Sequence, residues 1–155
     1  MDRCPAPVFV AAGGHHEVAV GDARVKILAG AAETGGSVAL LDYRMPGHYQ
    51  GPPAHVHPGF DEIFCVIEGT LTVRHGDEVK AAESGGTLVV PGPVPHTFAN
   101  LAAAPARVML AIMPAGFESY FDQIAALLAS GPPDPDAMKA LAARYGVENV
   151  GPPLT

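Results

Sequence analysis

Four side chains able to bind a metal ion occur in two short stretches of this sequence. His55 and His57 stand two residues apart in GPPAHVHPGFDEIFCVIEG, so on a β-strand both imidazoles project from the same face. Glu62 follows a Pro-Gly turn there, which can return the chain antiparallel and bring the carboxylate beside the histidines. His96 comes later, after a Pro-rich turn in GGTLVVPGPVPHTFAN. Three imidazoles and one carboxylate that converge predict a site for one divalent transition metal ion, with positions left open for water or substrate.

The identity of the metal is not predicted, because mixed histidine and carboxylate sites accept iron, manganese, nickel, cobalt, copper or zinc according to supply. The other histidines are interpreted differently. His15, His16 and His75 lie in or beside turns, and we expect them to be solvated. His48, in PGHYQGPP, precedes the ligand strand and is a candidate for the mouth of a pocket.

Short β segments must position these side chains, because residues 7–113 alternate between short apolar runs and punctuation by Gly, Pro and Asp. The predicted strands cover residues 8–11, 18–20, 25–29, 37–45, 55–57, 62–67, 70–75, 78–81, 87–90, 96–100 and 106–113. No crossover helix interrupts them, which argues against a parallel α/β sheet. The pattern predicts an all-β sandwich or barrel, jelly-roll folds included.

Beyond Pro114 the apolar period changes from two to about 3.6 residues, which predicts helices. The apolar stripe of the first helix consists of Phe117, Tyr120, Phe121, Ile124, Leu127 and Leu128. Gly131 and the prolines after it end this helix. The second helix begins with Asp134 as N-cap and Pro135 in its first position, and Gly146 stops it. An aromatic stripe of this kind usually packs in a core, so we interpret both helices as a cap on the barrel.

Length and composition favour one domain of residues 1–155, with a barrel of about 7–113 and a helical cap of about 115–146. The net charge of −7 argues against nucleic acid, because phosphate binding needs clustered Lys and Arg. No apolar run reaches the roughly 18 residues needed to cross a bilayer, and the first residues do not resemble a signal peptide. Cys4 and Cys65 are too few for a disulfide framework, so we expect a cytoplasmic protein, with Cys65 as a small buried hydrophobe.

The first stretch resembles the first motif of the cupin family, G-x5-H-x-H-x3,4-E-x6-G. The matching residues are His55, His57, Glu62 and Gly69. The opening Gly of the motif is displaced, since its place holds Tyr49, with Gly47 and Gly51 on either side.

The second stretch resembles the second cupin motif, G-x5-P-x-G-x2-H-x3-N. The matching residues are Gly85, Pro91, His96 and Asn100. Pro93 replaces the Gly of the motif, a departure at the turn before His96 that leaves the ligands unchanged. The resemblance implies a single-domain cupin, whose double-stranded β-helix or jelly-roll barrel holds a metal. The helical tail is similar to the C-terminal extension of small bacterial cupins related to quercetin dioxygenase.

Alternation along the predicted strands places further side chains beside the metal site. The candidates for the substrate pocket are Tyr43, Met45, His48, Phe64, Val66 and Phe98. Such a cavity is mostly apolar and suits a small hydrophobic or aromatic molecule that binds the metal through oxygens. No Arg or Lys adjoins the ligand motifs in sequence, which disfavours phosphosugars and polycarboxylates unless Arg44 or Arg107 folds inward.

Three functions remain open. The resemblance implies first a quercetinase-type dioxygenase, in which Glu62 is a metal ligand or the base that removes the substrate's hydroxyl proton. The second is metal Lewis-acid isomerisation, cyclisation or lyase chemistry without oxygen, as in similar small cupins of natural-product pathways. The third is a non-catalytic barrel that binds a small molecule or stores a metal. The resemblance also implies a homodimer, formed through an N-terminal strand at residues 8–11, since an exposed edge strand is otherwise a liability.

Overall fold

The computed structural model describes residues 6–155, so Cys4 lies outside the described residues. The strands are β1 (His16–Val20), β2 (Ala23–Ala29), β3 (Ala39–Met45), β4 (Ala54–Val56), β5 (Asp61–Glu68), β6 (Thr70–His75), β7 (Glu78–Glu83), β8 (Thr87–Val90), β9 (Thr97–Ala99), β10 (Ala106–Met113) and β11 (Glu148–Gly151). The helices are α1 (Ala31–Thr34), α2 (Glu118–Ala129) and α3 (Pro135–Arg144). The predicted all-β jelly-roll barrel with a C-terminal pair of helices is confirmed.

Antiparallel pairing builds the barrel from a six-stranded sheet of order β1-β2-β3-β10-β5-β8 and a three-stranded sheet of order β7-β6-β9. Strand β10 shows how the sequence directs the core. Val108, Leu110 and Ile112 are at most 1% exposed, while the residues between them are half-buried on the outer face. This period of two sends one apolar row of each central strand into the interior, where it meets residues of the smaller sheet such as Leu71 and Phe98.

The turn between β5 and β6 requires a glycine. Gly69 has a φ of 75°, and a Cβ atom there would lie 2.4 Å from the carbonyl oxygen of Pro105. Both the backbone conformation and the space therefore exclude a side chain at this position of the first ligand motif.

The helical cap follows its predicted signals. The Asp134 side chain accepts a hydrogen bond from Asp136 N, and Pro135 is the first residue of α3. Gly131 and Gly146, at φ values of 140° and 70°, follow the ends of α2 and α3. Among the described residues, none of the helices is long and apolar enough to span a membrane.

Buried Glu118 ties the cap to the barrel. One of its carboxylate oxygens accepts from Ala31 N at the start of α1, at 2.7 Å, and the other accepts from Gly116 N, at 2.5 Å. Next to it, His16 of β1 pairs with Asp122 of α2 at 2.5 Å. His16 is exposed, as expected from the sequence, and in addition it pairs with α2.

Several local expectations change in the folded chain. Residues 8–11 form no strand, since no described segment pairs with them, and Phe9 is 92% exposed. His15 is half-buried, with its Nδ1 atom out of contact with solvent, so it is not solvated as expected; His75 is exposed and meets Pro95 O through its Nδ1. Cys65 is half-buried on the outer face of β5 and is a free thiol, because strand alternation turns it away from the core.

Strand β11 has no counterpart among the predicted strands. Its sequence, ENVG, is short, mostly polar and without apolar alternation. Pairing with β4 makes it a strand, and this pairing places Asn149 opposite His55. The chain end thereby covers one edge of the strand that carries the first predicted ligand.

Candidate metal centre

The structure brings the four predicted metal-binding side chains together at one buried point. This ligand cluster consists of His55, His57, Glu62 and His96, which are 8%, 1%, 4% and 2% exposed. Their ligand atoms all lie within 4.8 Å of one another. A buried group of three imidazoles and a carboxylate could hold a divalent metal ion.

Backbone pairing positions the cluster. His55 N donates to His96 O at 2.9 Å, and His96 N donates to His55 O at 3.0 Å, which locks two distant segments side by side. Glu62 belongs to β5, where its register neighbours are Val90 of β8 and Ile112 of β10. Because Ile112 also faces the interior, strand register directs the carboxylate inward toward the histidines.

Each histidine presents the same ring nitrogen to the centre. The rings of His55, His57 and His96 donate from Nδ1 to the carbonyl oxygens of Pro53, Phe60 and Val94, at 2.8, 2.9 and 3.0 Å respectively. A carbonyl oxygen can only accept, so Nδ1 carries the hydrogen and Nε2 of the neutral ring holds a free lone pair. This is the arrangement of metal-binding histidines, in which a backbone acceptor fixes both tautomer and orientation.

The spacing of the donor atoms fits a metal ion. Nε2 of His57 and Nε2 of His96 each lie 3.1 Å from the same oxygen, Oε2 of Glu62. Two ligand atoms about 2.0–2.2 Å from one ion are about 2.8–3.6 Å apart when the angle between them lies between the octahedral and the tetrahedral value. The lone pairs on Nε2 of His57 and His96 would repel the nearby carboxylate of Glu62. A cation bound between these atoms removes the repulsion.

The pKa values of the cluster reflect the same electrostatics. Burial would raise the pKa of Glu62, but the contacts of its carboxylate with the imidazoles of His57 and His96 outweigh burial and lower the pKa to about 2. Burial disfavours the charged form of His57, yet its contact with the carboxylate raises its pKa. Burial, followed by the charge of His96, lowers the pKa of His55 to about 4. The carboxylate is thus ionised and His55 is neutral at pH 7, as metal ligands must be.

A cavity of about 500 Å³ opens beside the cluster, and two of its members, His55 and Glu62, line it. The cap closes the opposite side with residues of α2, α3 and the segment before α2. These are Phe117, Tyr120, Phe121, Ile124, Leu128, Met138 and Ala142. No Lys or Arg lines the cavity in the described part of the chain. The cavity is therefore a largely apolar chamber with a metal-binding end.

Three of the six predicted pocket residues line this cavity, namely Tyr43, His48 and Phe98. The prediction is corrected for Met45, Phe64 and Val66, which lie in the closed core at 1%, 0% and 3% exposure. Strand alternation correctly predicts that these side chains point into the barrel, but it does not predict whether they border open space or packed neighbours. The interior around them is filled by packed side chains, so the open space lies elsewhere.

The cap is the part of the site that sequence reasoning missed. The aromatic stripe of α2 does pack, as expected, yet its inner side also forms the cavity wall. Phe117 stacks with Tyr120 and contacts Phe60, which in turn stacks on the ring of His57 at a centroid distance of 4.1 Å. The aromatic stripe was the available signal, and it could not show that a cavity remained beneath it.

Arg44 and Arg107 do not enter the cavity. Both bind the carboxylate of Asp42 on the outer face of the six-stranded sheet, Arg107 through two hydrogen bonds of 3.0 Å. The absence of cationic groups from the cavity, expected from the sequence, therefore holds for the described lining residues.

The departures from the two motifs also have a structural basis. A Cβ atom at Gly51 would lie 1.8 Å from Phe98 O, so this glycine makes the close approach near the first histidine. A Cβ at Gly92 would lie 2.5 Å from Phe60 O and 2.7 Å from His57 O. Gly92 thus provides a close backbone contact before His96 where Pro93 replaces the motif glycine.

Comparisons with known proteins agree with this fold. Residues 42–113 match the family model of the cupin domain. Germin-like protein 1-1 of Oryza sativa subsp. japonica is 33% identical over 137 residues, which cover 83% of this chain. The chain spans 60% of the length of that curated relative.

Solved structures show the same architecture. The structure of KdgF from Halomonas sp. superposes with a TM-score of 0.63 at 20% identity, covering 74% of this chain and 99% of that one. An RmlC-like cupin from Shewanella frigidimarina superposes with a TM-score of 0.60 at 16% identity, covering 77% and 99%. Residues 42–113 thus match the cupin domain model, and both solved structures share the barrel fold of this chain.

Proposed function

We propose that this protein is a metal-dependent cupin enzyme, a quercetinase-like dioxygenase that acts on a small apolar or aromatic substrate bound to the metal through oxygens. The observation that carries the proposal is the opening of the ligand cluster, through His55 and Glu62, onto an apolar cavity without cationic residues. A charged substrate group away from the metal would find no Lys or Arg as counter-charge in such a chamber, whereas aromatic rings would be buried against the cap.

The four cluster residues would hold one divalent ion, whether iron, manganese, nickel, cobalt, copper or zinc. A bound ion of this kind polarises substrate oxygens and, when redox-active, supports reaction with dioxygen. The chain's own contribution is orientation and exclusion of water. The backbone acceptors fix the histidine rings, and the cap covers the substrate's apolar part.

Glu62 is the residue that we assign to proton transfer. Its carboxylate lines the cavity, is ionised at neutral pH and is held by two histidines. Glu62 is the one carboxylate of the cluster that a substrate hydroxyl in the cavity could contact. It would therefore act as ligand, as base, or as both in turn.

The same position of Glu62 favours one second candidate, metal-assisted isomerase, cyclase or lyase chemistry. A carboxylate that faces both the cluster and the cavity can remove a proton and return it elsewhere without dioxygen. A non-catalytic barrel that binds a small molecule or stores a metal is the outcome that remains when neither reaction occurs.

Oxygen-electrode measurements on protein loaded separately with each metal test the proposal. With a panel of flavonols and enediols, the dioxygenase predicts oxygen consumption matched by loss of substrate absorbance. Substrate conversion without oxygen uptake supports the second candidate. Metal binding without any conversion contradicts both enzymes.

We also propose that the protein forms a homodimer. The outer face of the six-stranded sheet carries apolar residues at positions that a solvated sheet fills with polar ones. These residues are Leu40, Ile63, Cys65, Ile67, Val89, Met109, Ala111 and Met113. Register places them side by side, with Cys65 opposite Met109 and Ile63 between Ala111 and Val89.

A second copy of the chain would cover this face together with the polar strands β1 and β2 beside it. The four strands that carry the apolar residues, β3, β10, β5 and β8, lie about 4.8 Å apart and give roughly 460 Å² over seven residues of about 3.4 Å, and all six strands give at most roughly 700 Å²; each partner buries roughly 800 Å² in a standard interface. The exposed segment with Phe9 precedes β1, at the edge of the same sheet, and supports a partner on that side.

We also propose a cytoplasmic location, which the low cysteine content supports.

A further inference from the structure

The inner part of the cavity holds few polar groups besides the ligand cluster and the cap residue Tyr120. The polar lining residues Asp22, His48, Gln50 and Asn149 are exposed and stand at its opening. Deeper inside, Tyr43 is 3% exposed, and its hydroxyl lies 2.9 Å from the hydroxyl of half-buried Tyr49. We refer to Tyr43 and Tyr49 as the tyrosine pair.

Proton accounting leaves one donor over in this pair. Each hydroxyl carries one hydrogen, and the shared hydrogen bond uses only one of the two. Within residues 6–155, neither hydroxyl has a further hydrogen-bond partner. Burial raises the pKa of both tyrosines, so both remain protonated at neutral pH. A buried O–H without an acceptor is unfavourable, and here the open side of the pair is the cavity.

Tyr43 of the tyrosine pair and Glu62 lie at different levels of the barrel, on the two strands that flank β10. Tyr43 is the register neighbour of Val108 on β10, and Glu62 is the register neighbour of Ile112 on the same strand. Val108 and Ile112 are four residues apart along β10, which corresponds to about 14 Å between their backbones. Leu110, between these two neighbours, also lines the cavity, so one continuous wall runs from the cluster to the pair.

We propose that the tyrosine pair donates a hydrogen bond to a substrate oxygen that the metal does not hold, and so selects substrates with a second acceptor oxygen. The inference rests on the proposed function, since it takes the ligand cluster as the anchor for the substrate's chelating end. The substrate class is thereby narrowed to uncharged aromatic molecules that carry a chelating oxygen pair and, beyond it, a carbonyl or similar acceptor.

Calorimetric titration of the zinc-loaded protein tests this assignment without requiring turnover. The probes are catechol, which has only the chelating pair, and 2,3- and 3,4-dihydroxyacetophenone, which add one carbonyl oxygen at different positions. We expect at least one ketone to bind between about twofold and tenfold more tightly than catechol. The double variant Tyr43→Phe/Tyr49→Phe should abolish this preference, and so should the single variant that removes the hydroxyl donating to the substrate, because only that loss leaves no hydrogen facing the substrate oxygen.

Tyr145→Phe is the matched control, because Tyr145 lies outside the cavity lining and its hydroxyl bonds Gln123. It should keep the wild-type preference. An unchanged preference in the Tyr43 and Tyr49 variants, an absence of any preference in the wild type, or failure of all probes to bind would overturn the inference. A preference that depends on the pair, in a protein that consumes no oxygen with any metal, supports the inference and contradicts only the dioxygenase.

Discussion

His55 and His96 hold each other through two reciprocal backbone hydrogen bonds, of 2.9 and 3.0 Å, while their imidazole centroids lie 4.5 Å apart. The pairing joins the two ligand stretches directly, so the third histidine is positioned by backbone rather than by a flexible side chain. This rigidity is what a preorganised metal site requires.

The first prediction concerns metal content. Protein purified without chelators should contain about one divalent ion per chain by mass spectrometry of metals, and His96→Ala should lose it. His75→Ala is the control, since His75 is exposed on β6 and lies outside the cluster. Equal metal content in all three proteins would contradict the assignment of the cluster.

Metal removal should also lower stability, because an ion that binds only the folded state stabilises it by mass action. At an ion concentration about 1,000 times its Kd this amounts to about 4 kcal/mol. Differential scanning calorimetry with and without chelator should show a lower Tm after chelation. His96→Ala should show no such response, and a chelator response in that variant would place the ion elsewhere.

Glu62→Gln separates proton transfer from metal binding. Gln keeps the shape and one oxygen of the side chain but cannot accept the substrate proton. Loss of a general base lowers turnover by about 10²–10⁴-fold. Substrate conversion should fall accordingly while metal content per chain is retained. Retained turnover would show that Glu62 is only a ligand.

Asp42 should contribute to stability in a pH-dependent manner. Its burial raises its pKa, but hydrogen bonds from Arg107 and Arg44 outweigh this and lower the pKa below its ordinary value. A lowered folded-state pKa means that the contribution is complete above the unfolded value, about 3.9, and is lost as pH falls through the folded one. Asp42→Asn should therefore cost about 1–2 kcal/mol at pH 7 by urea unfolding, and less at pH 3.

Glu78→Gln is the control for that measurement. Glu78 pairs with Lys80 on the exposed strand β7, where solvent screens the interaction. We expect no measurable change in stability at pH 7. An Asp42→Asn effect that stays constant between pH 7 and pH 3 would argue against an ionic origin.

Gly51→Ala should damage the site by displacing backbone. The new Cβ would overlap Phe98 O at 1.8 Å, so the loop before β4 must move away from β9. Overpacking of this kind costs about 1–3 kcal/mol or more, and the shift should weaken metal binding through His55. Gly59→Ala is the control, since a Cβ at Gly59 meets nothing within 4 Å. Equal metal affinity and Tm in both variants would contradict this prediction.

If the protein is a homodimer, the molar mass measured by light scattering should be that of two chains. Ile63→Lys and Met109→Lys place charges at the centre of the apolar outer face and should yield monomers. Val79→Lys, a change at a 54% exposed residue of β7, should leave the dimer intact. Removal of residues 1–12 tests the N-terminal segment separately. A wild-type monomer at high protein concentration would exclude the dimer.

Local chemistry explains why much of the fold was predictable. Alternation along β5 and β10, the Pro-Gly punctuation, and the caps at Asp134 and Gly131 each act over a few residues. The strand predicted at residues 8–11 is wrong and β11 was not predicted, for the opposite reason. Whether a short extended segment becomes a strand depends on a partner that is distant in sequence, and β11 finds one in β4 whereas residues 8–11 find none among the described residues.

The amino-acid sequence alone determined the ligand types, their spacing, the strand period that turns them inward, and the helical cap, because these follow from neighbouring residues. Tertiary structure decided where space remains. Phe64 and Phe98 both face inward, yet only Phe98 borders the cavity, and the cap residue Phe121 forms part of its wall. Cavity shape results from the packing of side chains brought together from the whole chain, and no local pattern contains that information.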